Sequence, residues 1–384
     1  MTYAVQREER AFVTEESTYG VIPAAPAAGE ALRFLQITVS PTEDRPFRRD
    51  KRATRSFLET IQMRKNVSWS MNGYLLPSGA AGTAPDGWDS ILEAAFGLET
   101  INASTSVVYT LVKEFSKSFT ITRAYGNAAA YAVAAEAVRG CVPQTVTFNL
   151  SGADAAMIEV SGFGADVLRA MRAEIVADSG TVVEVVAGKA KGFDAGMYID
   201  VDTIADNLIT AVSEADDELT MAAHTAQLAG EFVVPSACVK SQTFTSTAKP
   251  IGGILGSCSL DSSSFSIISA QIVLNNNPNQ HNDKYGFNRT SGHSLGNREV
   301  TGSITFRVDD TNIIDLIRSK NNTLRDLQLV AGTVAGSIAT FDLNTVLFDL
   351  TPIPAGEEGD LIVTLPFRAL GSSAGENELT LTFT

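Results

Sequence analysis

Phe34-Leu35-Gln36-Ile37-Thr38-Val39 is an alternating apolar segment, and Ala270-Gln271-Ile272-Val273-Leu274 repeats it much later in the chain. Each copy is succeeded by the same series of elements. In the first, a polar loop from Pro41 to Arg64 leads to Val67-Ser68-Trp69-Ser70-Met71, then to Trp88, Ile91, Leu92, Ala95 and Phe96 at helical spacing. In the second, residues 275–299 lead to Val300-Thr301-Gly302-Ser303-Ile304, then to Ile313, Ile314, Leu316 and Ile317. Both close alike, on Val146, Phe148, Leu150 with Ile158 and Val160, and on Val346, Phe348, Leu350 with Leu361, Val363 and Leu365. Period-2 alternation marks strands with one buried face, and i, i+3, i+4 spacing marks an amphipathic helix. The shared order points to duplication of one β-rich unit. Two copies are too few for a solenoid, so the expectation is a pseudo-symmetric pair of domains.

The duplication divides the chain into four segments. Residues 1–33 look like an N-terminal arm, with charges, then Tyr19-Gly20-Val21-Ile22-Pro23 and an Ala/Pro/Gly run, and too little periodicity for a packed element. The first unit spans 34–172, with a hairpin expected from Thr105 to Thr122. Residues 173–230 read as a small β insert, barrel-like, with short strands between glycines and acidic turns. The second unit fills 231–384, where Asp309-Asp310-Thr311 is placed to cap a helix through Ile317.

A chain of 384 residues can bury a core in each half. No apolar run approaches the roughly 18 residues that cross a bilayer, and no signal-peptide core is visible, so use without export and away from membranes is expected. Cys141, Cys238 and Cys258 are too few and scattered for a disulfide framework, which suggests buried thiols. The formal charge is −15. That argues against general affinity for nucleic-acid backbone, because such binding needs Lys and Arg to neutralise phosphates. It permits a surface that DNA passes without sticking. From Ala173 to Gly230 eleven acids face only Lys189 and Lys191, a net of −9.

Catalytic chemistry finds little support. His224, His281 and His293 have no zinc-like partner spacing, and no Cys-x-x-Cys exists. Gly252-Gly253-Ile254-Leu255-Gly256 lacks a phosphate-loop ending, and Asp200, Asp202 and Asp206 lack the rest of a calcium loop. A non-enzymatic protein without metal or cofactor is expected. The stronger signal is the pair of long loops, since loops of such length inside compact domains are usually functional or disordered. The first carries Arg45, Phe47, Arg48, Arg49, Arg52 and Arg55 with Phe57; the second carries Tyr285, Phe287 and Arg289. Aromatics beside arginines anchor interfaces, so these loop residues are candidates for contacts between subunits or rings.

Glu15-Glu16-Ser17-Thr18-Tyr19-Gly20-Val21-Ile22-Pro23, the loop with Arg48, Asp50 and Arg55, and the strand and helix after it resemble the major tail tube proteins of long-tailed, non-contractile (siphovirus-type) bacteriophages. Gly256 to Phe265 leading to Ala270-Gln271-Ile272-Val273-Leu274-Asn275-Asn276 is similar to the same unit again. The resemblance covers most of the chain except 173–230. It implies a mainly β fold: two tandem β-sandwich domains, each with a flanking helix and a long loop. It implies self-association into trimeric rings of pseudo-sixfold symmetry, stacked into a tube. Inner sheets would join around an electronegative lumen through which double-stranded DNA passes, without specific binding, during ejection. A tape measure protein and tail tip or terminator proteins are the implied partners, and the virion tail the location, after assembly in the host cytoplasm. The acidic insert would sit on the outer wall, and its deletion should leave rings intact. The alternative is a capsid-decoration or surface binding module built from two β-sandwich domains.

Overall fold

The computed structural model describes residues 8–50, 56–57, 59–113, 117–126, 133–244, 249–308, 323–352, 360–371 and 375–384. The helix expected from Asp309 to Ile317 lies outside them. In chain order the first half runs β1 (Arg10–Glu16), β2 (Ala31–Leu32), β3 (Gln36–Glu43), β4 (Lys65–Tyr74), helix α1 (Asp89–Phe96), β5 (Gly97–Asn102), β6 (Ser106–Leu111), β7 (Ser118–Tyr125), β8 (Ala134–Ser151), β9 (Met157–Gly164) and β10 (Asp166–Met171). Six short strands come next: β11 (Ala173–Asp178), β12 (Val182–Val185), β13 (Tyr198–Val201), β14 (Ile204–Ser213), β15 (Glu218–Met221) and β16 (Phe232–Pro235). The second half holds β17 (Gly256–Leu260), β18 (Ser263–Ser264), β19 (Ser269–Asn275), β20 (Asn279–Gln280), β21 (His293–Ser294), β22 (Glu299–Arg307), β23 (Arg325–Ala331), β24 (Ala339–Phe348), β25 (Ile362–Ala369) and β26 (Thr380–Phe383).

The fold is mainly β, as expected. Alternation decides the inner layer: in β4 Val67, Trp69 and Met71 are buried while Ser68 and Ser70 are exposed. The inner sheet has the antiparallel order β3-β4-β9-β8-β19-β22-β25-β24, four strands from each half. Behind it lie two outer sheets. One is β2-β1-β7-β8-β10, using the N-terminal part of β8. The other is β17-β23-β24-β26-β6-β5, using the N-terminal part of β24. Strands β8 and β24 therefore play one role, each crossing from an outer sheet to the inner one. The strand order β1, β3, β4, β7, β8, β9, β10 is matched by β17, β19, β22, β23, β24, β25, β26.

A single apolar core fills the space between the layers of both halves. Trp69 meets Phe119 edge-on at 5.5 Å between ring centroids, and its indole N–H donates to the Phe163 carbonyl at 2.9 Å, which satisfies its polar end. Phe148 of β8 packs on Phe341 of β24 at 4.9 Å, tying one half to the other. Gly302 makes room for Phe367: a Cβ there would lie 2.3 Å from that ring. Helix α1 buries Ile91, Leu92, Ala95 and Phe96, matching the expected stripe, and ends where Gly97 takes a φ of +100° and its N–H bonds the Glu93 carbonyl.

Two sequence expectations give way. Residues 10–16, read as part of an arm, form β1, with Ala11, Phe12 and Val13 fully or almost fully buried. Both faces of this strand are covered, so it shows no alternation. Its last residue, Glu16, is a buried carboxylate that accepts hydrogen bonds from the Ser118 and Thr120 hydroxyls and the Gly20 and Gly140 N–H groups, all within 2.7–2.8 Å. The hairpin expected from Thr105 to Thr122 does not form either. Strand β6 pairs with β5 and with β26 of the other half, Tyr109 opposite Leu381, while β7 pairs with β1 and β8.

Strands β11-β12-β15-β14-β13-β16 close into a barrel. Its last strand, β16, begins after residue 230, beyond the bounds expected for the insert. Ile175, Val183, Ile199, Leu219 and Val233 fill its centre. That cluster is continuous with Phe12, Ala135, Ala137, Leu168 and Ala170 of the first outer sheet. The barrel thus packs on the outer sheet, on the side away from the inner one.

Candidate functional site

Three features of the inner sheet stand out: its seam, its two ends and its open face. At the seam β8 pairs with β19 in continuous register, Ser151 opposite Ser269 through Thr145 opposite Asn275. At one end β3 pairs along its length with β4. Among the described residues its other edge is unpaired. At the other end Leu347 and Phe348 pair with Arg368 and Phe367 of β25, and the Asp349 N–H reaches the Pro366 carbonyl at 2.9 Å. Beyond them Leu350 is 75% exposed. The pseudo-equivalents of the two seam strands are therefore the two free ends. Unpaired strand edges are templates for another chain.

The open face reads in register across all eight strands as Gln36, Asn72, Glu159, Thr147, Val273, Thr301, Arg368 and Leu347. Neighbouring rows are similar, with Thr38, Ser70, Ser161, Thr145 and Asn275 in one. The Gln271 amide donates to the Asn149 side-chain oxygen at 2.9 Å, and the Thr305 and Thr364 hydroxyls pair at 2.9 Å. Charged residues on the strands of this face are Glu159, Glu299, Arg307 and Arg368, two of each sign. Arg307 meets Asp360 at 3.1 Å and Arg368 meets Asp349 at 3.4 Å.

The first long loop prolongs the β3–β4 ladder as an arm. The N–H groups of Met63, Ile61 and Arg48 bond the carbonyls of Asp44, Pro46 and Glu59, and Phe47 bridges Thr60. The rings of Phe47 and Phe57 stack at 5.1 Å, and both are more than half exposed, as is no core aromatic. Arg45 is held by Glu43 at 2.6 Å, and Arg48 by Glu59 at 2.7 Å and Asp50 at 3.1 Å. The hydrogen bond from Arg45 holds the Glu43 carboxyl below the usual range. Arg49 lies on the same arm; Arg52 and Arg55 lie outside the described residues.

The second long loop lies back on the first half. Arg64 donates to the Lys284 carbonyl at 2.6 Å and the Lys65 N–H to the Asn288 carbonyl at 2.9 Å. His293 touches the rings of Tyr19 and Phe163. Burial, with the like charge of Arg139 nearby, pulls Arg289 below its ordinary value. Phe287 sits under the Lys284 ammonium at 4.1 Å, while Tyr285 is 99% exposed. The structure thus groups the described candidates into one arm and one folded-back loop, with Arg289 partly buried. Sequence reading missed the free ends, because an edge is defined by what does not pair with it.

No group of three metal-binding side chains occurs among the described residues. No helix among them is long and apolar enough to cross a membrane. A pocket of about 290 Å³ beside Cys258 is lined by apolar, glycine and serine residues, and that thiol is its one titratable group. Among curated proteins no match is found. The match to a protein family is extensive, covering residues 7–369 with both sandwich halves and the barrel between them, and by it the chain belongs to the phage tail tube protein family.

Proposed function

We propose that the chain assembles as three copies per ring, closing the inner sheets into one continuous barrel, and that such rings stack into the tube through which DNA leaves the virion. Membership of the family makes it a structural component of the virion tail and a self-assembling tube subunit. The observation that carries the finer reading is the seam between β8 and β19. Strand β3 and the segment from Leu347 onward are the pseudo-equivalents of β19 and β8. The same pairing between copies would remove both free edges and close the sheet. A chain with two repeats supplies two of six positions, hence three copies. Each subunit is then a structural, non-enzymatic part, assembled in the host cytoplasm around a tape measure protein and closed by tail tip and terminator proteins.

The loops fit contacts between copies. The second loop covers the first half of its own chain, while the arm with Phe47 and Phe57 leaves an apolar surface uncovered. We assign Arg45, Phe47, Arg48, Arg49, Arg52, Arg55 and Tyr285 to contacts with neighbouring copies in the ring or the next ring, with Phe287 and Arg289 supporting the loop that carries Tyr285. The barrel, on the outer sheet, would stand on the outside wall.

Cysteine pairs test the ring. Ser40→Cys in β3, combined in turn with Leu347→Cys, Asp349→Cys or Thr351→Cys, should give a covalent three-copy ring under oxidation in at least one combination. Disulfides need Cα atoms about 4.4–6.8 Å apart, so the scan brackets the register. Tubes that form without any such cross-link, or image averages with six full-length chains per ring, would overturn the reading.

A further inference from the structure

The inner sheet has two unlike ends. Both long loops leave one of them, after the rungs that pair Glu43 with Lys65 and Asn275 with Glu299. The other end carries Tyr74 opposite Met157 and Ser151 opposite Ser269. There, where the two halves meet, lies the pocket of about 290 Å³, with Ala156 from the first half and Ile251, Cys258, Phe265, Ile268 and Leu329 from the second. Gly252 and Gly253 on its wall lead to Ile254, which is 88% exposed, and to Leu255, which is 41% exposed. The chain therefore leaves apolar surface uncovered at both ends of one sheet: the stacked rings of Phe47 and Phe57 on the arm, and the pocket with Ile254 beside it.

We propose that this pocket is the socket for the arm of a second copy in the next ring, with one phenyl group of the Phe47–Phe57 pair entering between the halves and the other lying over Ile254. This rests on the tube reading and names the surface on which the arm is received. Contact between unlike patches at opposite ends of a molecule repeats without closing and builds an open stack. An aromatic anchor buried in a pocket is also where binding energy concentrates. Charge favours the same match. Residues 44–64 carry a net of +4 in a chain of −15. Asp154 is exposed beside the pocket, between the lining residues Gly152 and Ala156, and its carbonyl accepts the Gly253 N–H at 3.0 Å. Among the described residues neither its carboxylate nor the Arg49 guanidinium on the arm has an ion pair. Docking the arm in the pocket brings these two together at the rim, where opposite charges set register.

Two variants of the full chain test the socket: Ile254→Asp, and Phe47→Asp with Phe57→Asp. All three side chains are more than half exposed, so the substitutions spare the core. Ring closure is read by the Ser40→Cys cross-link and growth by electron microscopy. Each variant alone should close rings and grow no tubes. Mixed after their rings have closed, one supplies an intact pocket and the other an intact arm, so they should give pairs of rings and nothing longer. Tubes from either variant alone, or no pairs on mixing, overturn the socket. Loss of the cross-linked ring in either variant would place these residues in ring closure instead, which overturns the socket and leaves the tube reading standing. An unsubstituted chain that grows no tubes overturns the tube reading, and the socket with it. At the rim, Arg49→Asp should raise the protein concentration needed for growth about tenfold or more, and adding Asp154→Arg should restore it. Growth that Asp154→Arg fails to restore overturns this docking register.

Discussion

The outer edges at β10 and β26 are pseudo-equivalent, and the chain covers them differently. Strand β26 is continued by β6 and β5, a hairpin lent by the other half, with Tyr109 opposite Leu381 and Val107 opposite Phe383. Strand β10 has the barrel. There the Arg169 N–H donates to the Asp194 carboxylate at 2.7 Å, the Asp194 N–H to the Arg169 carbonyl at 2.8 Å, and Arg172 lies over the Phe232 ring at 3.8 Å. One edge is extended by backbone ladder, the other capped by side chains and a shared apolar cluster. A repeat can diverge in how it hides an edge as long as the edge stays hidden.

Of the two covers, the barrel should be the harder one to lose. Replacing residues 174–234 by a short Gly/Ser bridge exposes Phe12, Leu168 and Ala170 together with the β10 edge. The expected loss exceeds the about 3–5 kcal/mol of a single large core truncation, so the variant should aggregate or lose near-ultraviolet dichroism. This reverses the expectation that deletion leaves rings intact. A soluble deletion variant that forms rings would show that β10 needs no cover.

A smaller effect is expected at the other edge. Leu381 is fully buried between β6 and β24, and Leu381→Ala should cost about 2–5 kcal/mol in chemical denaturation. A loss under about 1 kcal/mol would mean that the hairpin only rests on β26.

The smallest effect lies within the hairpin itself. Burial, then the charge and hydrogen bond of Asp89 and the charge of Glu93, raise Glu99 of β5 to about 7, against a smaller opposing effect of Lys117. Asp89 also accepts the Tyr109 hydroxyl at 2.6 Å, and Lys117 is paired with Glu93 and Glu15. A raised carboxyl holds its proton more tightly when folded. Its contribution is therefore greatest below about pH 4.5, declines as pH rises to about 7, and is flat above. Glu99→Gln should raise the melting temperature at pH 8 and leave it nearly unchanged at pH 4.5. Because Glu99 is only partly buried, solvent screening keeps the gain under about 1 kcal/mol. No gain at pH 8 would show that repulsion between Glu99 and Asp89 does not weaken this hairpin.

Much of the inner sheet is legible in the sequence because one face is solvated, and alternation in 34–39, 67–71, 270–274 and 300–304 results directly from that. Strand β1 is not legible, because both faces are buried and Phe12 and Val13 sit side by side in sequence. The partner of β6 is not legible either: β7 and β26 offer equally apolar faces, and the choice is made by packing across the halves. Nor does sequence show that Glu16 is the buried acceptor of four donors, since both hydroxyls it holds and the Gly140 N–H lie more than a hundred positions away. Of the candidate site, the aromatic arm is visible as composition, whereas the carboxylates that already hold Arg45 and Arg48 emerge only from the arm's own ladder.

The β8–β19 seam also has a kinetic meaning. Strands tethered in one chain meet at an effective concentration on the order of millimolar, whatever the dilution. In the proposed ring only the ends at β3 and Leu347 must find each other by diffusion. In a three-copy ring, half of the seams are then formed before any encounter, and nucleation is of third order in protein where an unfused repeat would need sixth. Tube initiation should therefore fall with dilution far less steeply than it would for separate halves.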